Sequence, residues 1–233
     1  MMIYVNGDSH SAGAELVGPE EGRHCFAGDD PNYRAYGRDP HPEAVPKTFG
    51  YKLAQHLGEE LVLDAESASS NDRILRTTQE YLREVTPTLV VIGWATWERE
   101  EWNINGEYYQ LTAGGTDSVP EHMENEYKSW VLNQTERTLE HKCNIWHDRI
   151  WQLHTELQDR NIQHLFFNTY MQFNDNNKRD WGTSYIDPYE MMGTYYYWLE
   201  DKGYQTVTPD SYHYGEDAHT AWYKYLLDRY INA

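Results

Sequence analysis

Apolar residues along the chain follow two alternating rhythms. Short apolar runs at residues 3–6, 61–64, 88–93, 163–168 and 204–207 predict strands. Between them, apolar residues recur three and four apart, which predicts helices over 46–57, 71–84, 123–158, 189–201 and 216–230. Local chemistry agrees with several of these boundaries. Pro46 suits a first helical turn, and Gly58 and Gly203 are helix stop signals. Ile74, Leu75, Thr78 and Leu82 share one helix face. The run Thr88 to Gly93 is apolar throughout, as expected of a central strand buried on both faces. The 123–158 region is long for one helix, with an expected break near 138–144.

Strands alternating with helices predict a mainly parallel sheet covered on both faces, with ligands at the carboxyl ends of the strands. Two segments lie outside the rhythm. Residues 19–41 are rich in Gly, Pro and Asp. Residues 94–120 form a long insertion after the third strand, with Asn105-Gly106 between two short runs, a β-hairpin pattern. Loops of this length in a compact domain are usually functional or disordered.

Composition narrows the function classes. The 233-residue chain has 19 Lys and Arg against 38 Asp and Glu, a net charge of −19. So acidic a surface argues against nucleic-acid partners, which select a basic footprint, and against docking on anionic membranes. Aromatic residues make up 15% of the chain, which predicts a folded core rather than disorder. No stretch approaches 18 apolar residues, and the N-terminus lacks the pattern of a signal peptide. With only Cys25 and Cys143, no disulfide framework or CxxC metal pair is expected. The expected setting is the cytoplasm.

The residues just after the strands carry the candidate chemistry. The first strand runs into Gly7-Asp8-Ser9-His10. A serine there stands at the sheet edge beside backbone N–H groups able to hold an oxyanion, although a serine after a strand also serves as a helix cap. The last strand runs into Asp210-Ser211-Tyr212-His213. Asp210 and His213, three apart, are the residue types a serine nucleophile needs: a base within reach and a carboxylate to orient it.

Taken together, the GDSH and DxxH segments resemble the first and last blocks of the SGNH (GDSL-type) hydrolases. The nucleophile lies near the start of the chain and the Asp/His pair near its end. The resemblance implies a flavodoxin-like three-layer α/β/α sandwich with a five-stranded, mainly parallel sheet. It extends over a single domain, residues 1–233, with a loop or hairpin insertion at 94–120. It further implies Ser9 as nucleophile, His213 as general base and acid, and Asp210 as orienter, with no cofactor. The middle blocks depart from the family pattern. Where the family has an oxyanion-hole Gly, Ser69 falls nearest; where it has GxND, this chain reads Gly93-Trp94-Ala95-Thr96, without the Asn. The expected hole is therefore Ser9, Ser69 and, as a substitute donor, Asn71, with Thr96 next in line. The segments GDSHSAG, SASSNDRI, GWATWERE and YHYGEDAHTAW are also similar to SGNH-like proteins of large tailed phages, which would place the protein in a host cell or virion.

This reading implies a serine esterase acting on a short-chain, O-acetyl ester of a carbohydrate. The alternative is a catalytically weak SGNH-fold protein that binds glycans or belongs to a virion. Asp8, Arg34, Trp94, Thr96 and Trp97 are the expected substrate contacts. With 11 His and many carboxylates, metal-like spacings arise by chance, and no metal site is expected. His10 reads as a loop or helix residue rather than a second base.

Overall fold

The computed structural model describes residues 1–17, 38–113 and 119–231. Four strands form its central sheet: β1 (Met2–Asn6), β2 (Glu60–Leu63), β3 (Leu89–Trp94) and β6 (Gln163–Asn168). Their order is β2-β1-β3-β6, and every pairing is parallel. Parallel neighbours need crossover connections, and the helices supply them.

Side chains alternate across each strand, so each face of the sheet builds its own core. On one face Tyr4, Val90 and Ile92 pack against α3 (Asn71–Glu84) and α5 (Glu136–Asp159) through Ile74, Leu82, Ile150 and Leu153. On the other, Ile3, Val5, Val91 and Phe167 meet α2 (Phe49–Leu57), α6 (Tyr195–Asp201) and α7 (Glu216–Ile231) through Leu53, Leu199 and Trp222. The result is the three-layer α/β/α sandwich.

Among the described residues the sheet has four strands where the spacing predicts five. The segment at 204–207 keeps a single antiparallel bridge, Thr206 to Tyr214. The outer edge of β6 is already occupied: Phe166 N–H donates to Ser184 O at 2.8 Å, and Ile186 N–H donates to Phe166 O at 2.9 Å. Three helix boundaries also differ. The helix expected over 46–57 starts at Phe49, because Thr48 caps it after a 3-10 turn at Val45–Lys47 that holds Pro46. The break in the long helical region lies at 133–135, not 138–144, between α4 (Glu124–Leu132) and α5. Thr135 sets it by capping α5 with its side-chain oxygen. The helix expected over 189–201 starts only at Tyr195, after a 3-10 turn at Met191–Gly193.

After β3 the chain makes the expected hairpin, β4 (Glu100–Ile104) and β5 (Glu107–Leu111). Asn105 and Gly106 both have positive φ, 56° and 91°, the backbone that a two-residue type I′ turn requires. The hairpin is tied to α3: Ser70 N–H donates to Gln110 Oε1 at 2.9 Å, and Arg76 pairs with Glu101 at 2.7 Å. Among the described residues, no helix is long and apolar enough to cross a membrane.

Candidate active site

The turn after β1 places Ser9. Asp8 caps the one-turn helix α1 (Ser9–Ala12), its carboxylate accepting His10 N–H at 3.1 Å. Glycines let this turn sit hard on the sheet. A Cβ on Gly7 would lie 2.2 Å from Ser11 Oγ, and one on Gly93 would lie 2.7 Å from the Phe167 ring. Ser9 is the first helical residue, so its N–H has no intrahelical acceptor and points out of the helix start.

His213 reaches Ser9 from the opposite end of the chain. Its Nε2 lies 2.8 Å from Ser9 Oγ, and both residues are 5% exposed. The loop before it closes with Ser211 N–H donating to Thr208 O at 3.0 Å, and Val207 N–H donates to His213 O at 2.9 Å. Ser211 Oγ accepts the His213 N–H at 2.9 Å and donates to Glu15 Oε2. The same Glu15 oxygen lies 3.3 Å from His213 Nδ1. This is long for a hydrogen bond, as is common before a substrate tightens a site. The His213 imidazole beside it, then the hydrogen bond from Ser211, holds the Glu15 carboxyl below the usual carboxylate range, against the opposing effect of burial.

Asp210, the carboxylate expected beside His213, stands elsewhere. It lies in the exposed turn, and its side chain makes no hydrogen bond or ion pair among the described residues. The turn at 208–211 directs it to solvent, while Ser211 faces inward.

Of the groups expected to form an oxyanion hole, those of Ser69, Asn71 and Thr96 make other hydrogen bonds. Ser69 N–H donates to Glu66 O at 3.1 Å; its Oγ is buried with no partner among the described residues. Asn71 grips the backbone after β3 at both ends of its amide. Nδ2 donates to Ala95 O at 2.9 Å, and Oδ1 accepts Ala95 N–H at 2.8 Å. Thr96 Oγ1 donates to Glu98 at 2.6 Å.

The substrate contacts expected from the aromatic insertion are corrected by burial. Trp94 is fully buried edge-on to Phe166, and Trp97 stacks on Phe173 at 4.9 Å between ring centres. Both indoles fill the core under α3 and α5: Trp94 ends the strand covered on both faces, and Trp97, beyond it, joins the same cluster. Asp8 is fully buried and held by Arg99, whose Nη1 lies 3.3 Å from Asp8 Oδ2 and 3.3 Å from Ser69 O. Burial pushes the Asp8 carboxyl up, against the pull of Arg99. Arg34 lies outside the described residues.

Tertiary structure adds groups that the sequence reading did not place at the site. The His10 ring is buried 4.9 Å from that of His213, with Nε2 3.0 Å from Tyr170 Oη. Burial and the neighbouring positive charges hold its pKa well below the usual value, so it is neutral. Tyr212 leaves 53% of its surface exposed, with its ring 4.5 Å from His213. Its ring is thus an exposed aromatic face beside the Ser9–His213 pair. Among the described residues, no three His, Cys, Asp or Glu side chains converge as metal ligands.

Residues 27–197 match the model of a family described as a family of unknown function (DUF6071). No curated protein matches the chain in sequence. Among solved structures, the chain is similar to the psychrotrophic esterase EstA from Pseudoalteromonas sp., with 11% identity, a TM-score of 0.45, and coverage of 100% of this chain and 99% of that one. It is also similar to a carbohydrate esterase whose active site is described as having divergent catalytic and non-catalytic binding functions. That match has 14% identity, a TM-score of 0.49, and coverage of 100% of this chain and 68% of that one.

Proposed function

This chain belongs to the DUF6071 family, and we propose that it is a serine esterase of the SGNH type. The observation that carries the reading is the 2.8 Å contact between Ser9 Oγ and His213 Nε2, both side chains buried at the carboxyl edge of a parallel sheet. A hydroxyl is a weak nucleophile until a base takes its proton in the transition state. His213 takes the Ser9 proton as Oγ bonds to the ester carbonyl carbon, then returns it to the leaving alcohol. Water, deprotonated by the same nitrogen, releases the acid from Ser9. The developing oxyanion is held by Ser9 N–H at the start of α1 and by Ser69 Oγ.

The substrate in this reading is an O-acetyl group on a carbohydrate. Burial of Ser9 favours a short acyl chain, and the exposed Tyr212 face beside His213 suits a sugar ring. One observation favours a second reading. The Ser69 N–H and the Asn71 amide already hold backbone, so the hole has fewer free donors than an efficient esterase uses. A weakly active or inactive glycan-binding protein would have this form.

Hydrolysis of p-nitrophenyl esters from acetate to octanoate, by wild type and Ser9→Ala, tests the proposal. The expected result is turnover biased to acetate that falls by at least about 10³-fold in the variant with its melting temperature kept. A serine-directed phosphonate should label Ser9 in wild type and not in His213→Ala. Absence of both turnover and labelling, with retained glycan binding, would replace the esterase by the second reading.

A further inference from the structure

We propose that Glu15, clamped by Ser211, is the positioning residue that orients His213, in place of the carboxylate three residues before the histidine. The inference rests on the esterase reading and specifies how its base is held.

Three independent features of the structure converge on Glu15. The first is a closed ring of contacts. Glu15 Oε2 accepts from Ser211 Oγ and lies 3.3 Å from His213 Nδ1, while Ser211 Oγ accepts the His213 N–H at 2.9 Å. One carboxylate thus holds the His213 backbone through Ser211 and faces the imidazole Nδ1 at 3.3 Å. The second is the backbone at Glu15, with φ of 62°. Left-handed backbone is uncommon outside glycine and is retained where the surroundings demand it. The chain reaches this point because Gly13, with φ of 76°, ends α1 after one turn, and Ala14 N–H donates back to Ser9 O at 2.9 Å. The loop that presents the nucleophile thereby also returns a carboxylate to the base. The third is the exposure of Asp210 in its turn.

The chemistry follows from the ring nitrogens. A carboxylate at Nδ1 selects the tautomer with hydrogen there, leaving the Nε2 lone pair toward Ser9 Oγ–H. It also stabilises the imidazolium formed when the Ser9 proton moves to Nε2. Asp8, His10 and His219 also act electrostatically on His213. Burial leaves both of these histidines neutral, and Asp8 is paired with Arg99.

The test compares Glu15→Gln, Glu15→Asp and Asp210→Asn with wild type in the full chain. Expected for Glu15→Gln is a fall in kcat of about 10²–10⁴-fold with KM kept, and an altered acid limb of the pH–rate profile. Asp210→Asn should stay within about threefold of wild type. An activity-free readout is the downfield proton resonance of His213 Nδ1–H. It should persist in Asp210→Asn and shift or vanish in Glu15→Gln. If Glu15→Gln does not fold, Glu15→Asp is read instead: the charge is kept one methylene short, and the resonance should move upfield. Loss of kcat and of the resonance in Asp210→Asn, or full retention of both in the Glu15 variants, would overturn the proposal. Failure of the esterase reading is separate. It would appear as absent turnover and labelling, or as turnover that survives Ser9→Ala, with the resonance still reporting on Glu15 in either case.

Discussion

The two sides of the candidate site put their polar groups to different uses. On the Ser9 side, side chains face one another: Ser9 meets His213, and Ser211 and Glu15 close around the imidazole. On the Asn71 side, the polar groups face the backbone: Ser69 N–H holds Glu66, and the Asn71 amide holds both polar atoms of Ala95. The difference teaches that residue type and position do not define a role in a site. A buried amide that holds backbone on both ends must surrender a bond before it can hold an oxyanion, and leaving the partner unpaired is costly. Arg99 joins the two sides, since one of its nitrogens contacts both Asp8 and Ser69 O.

Cutting that link should have the largest effect on stability. Arg99→Met leaves the Asp8 carboxyl buried without its partner, and about 3–5 kcal/mol of unfolding free energy should be lost at neutral pH. The sign of its pH dependence follows from Asp8, whose folded pKa is raised above 3.8 by burial. Below the unfolded value the carboxyl is neutral in both states, so the deficit of the variant should shrink there. It should grow as pH rises through the folded pKa and the buried group must charge. Denaturant unfolding of both proteins at acid and neutral pH reads this. A deficit independent of pH would mean that Arg99 acts through packing, not through Asp8.

Next in size is Asn71→Ala, which orphans the N–H and carbonyl of buried Ala95. The expected cost is about 2–4 kcal/mol of stability. A variant of unchanged stability whose kcat alone falls would instead make Asn71 an oxyanion donor, and the contrast between the two sides would fail. The smallest expected effect is that of Thr96→Val, whose hydroxyl already serves Glu98. Its kcat should remain within about threefold of wild type. A loss near 10²-fold would return Thr96 to the oxyanion hole.

Much of the fold was legible because its determinants are local or periodic. Apolar runs marked the four strands, the 3.6-residue rhythm marked the helices, and Asn105-Gly106 marked the hairpin turn. The expected fifth strand failed for a reason outside its own segment: residues 184–186 had taken the edge of β6. The tryptophans failed likewise. Loop placement suggested a site mouth, but coverage of β3 on both faces drew Trp94 into the core, and stacking on Phe173 drew Trp97 into the same cluster.

Local patterning by itself determined the alternating α/β architecture and the two segments, GDSH and DxxH, that deliver Ser9 and His213 to one sheet edge. A serine directly after a parallel strand must stand at that edge, whatever the rest of the chain does. Only tertiary structure decided which carboxylate faces His213, that the Asn71 amide is engaged by the backbone of Ala95 and which aromatic ring lies open. Glu15 carries no motif. It reaches His213 because Gly13 turns the chain back and because residues almost two hundred positions later fold over it. Contacts between distant segments depend on the path of the whole chain, and no local spacing encodes them.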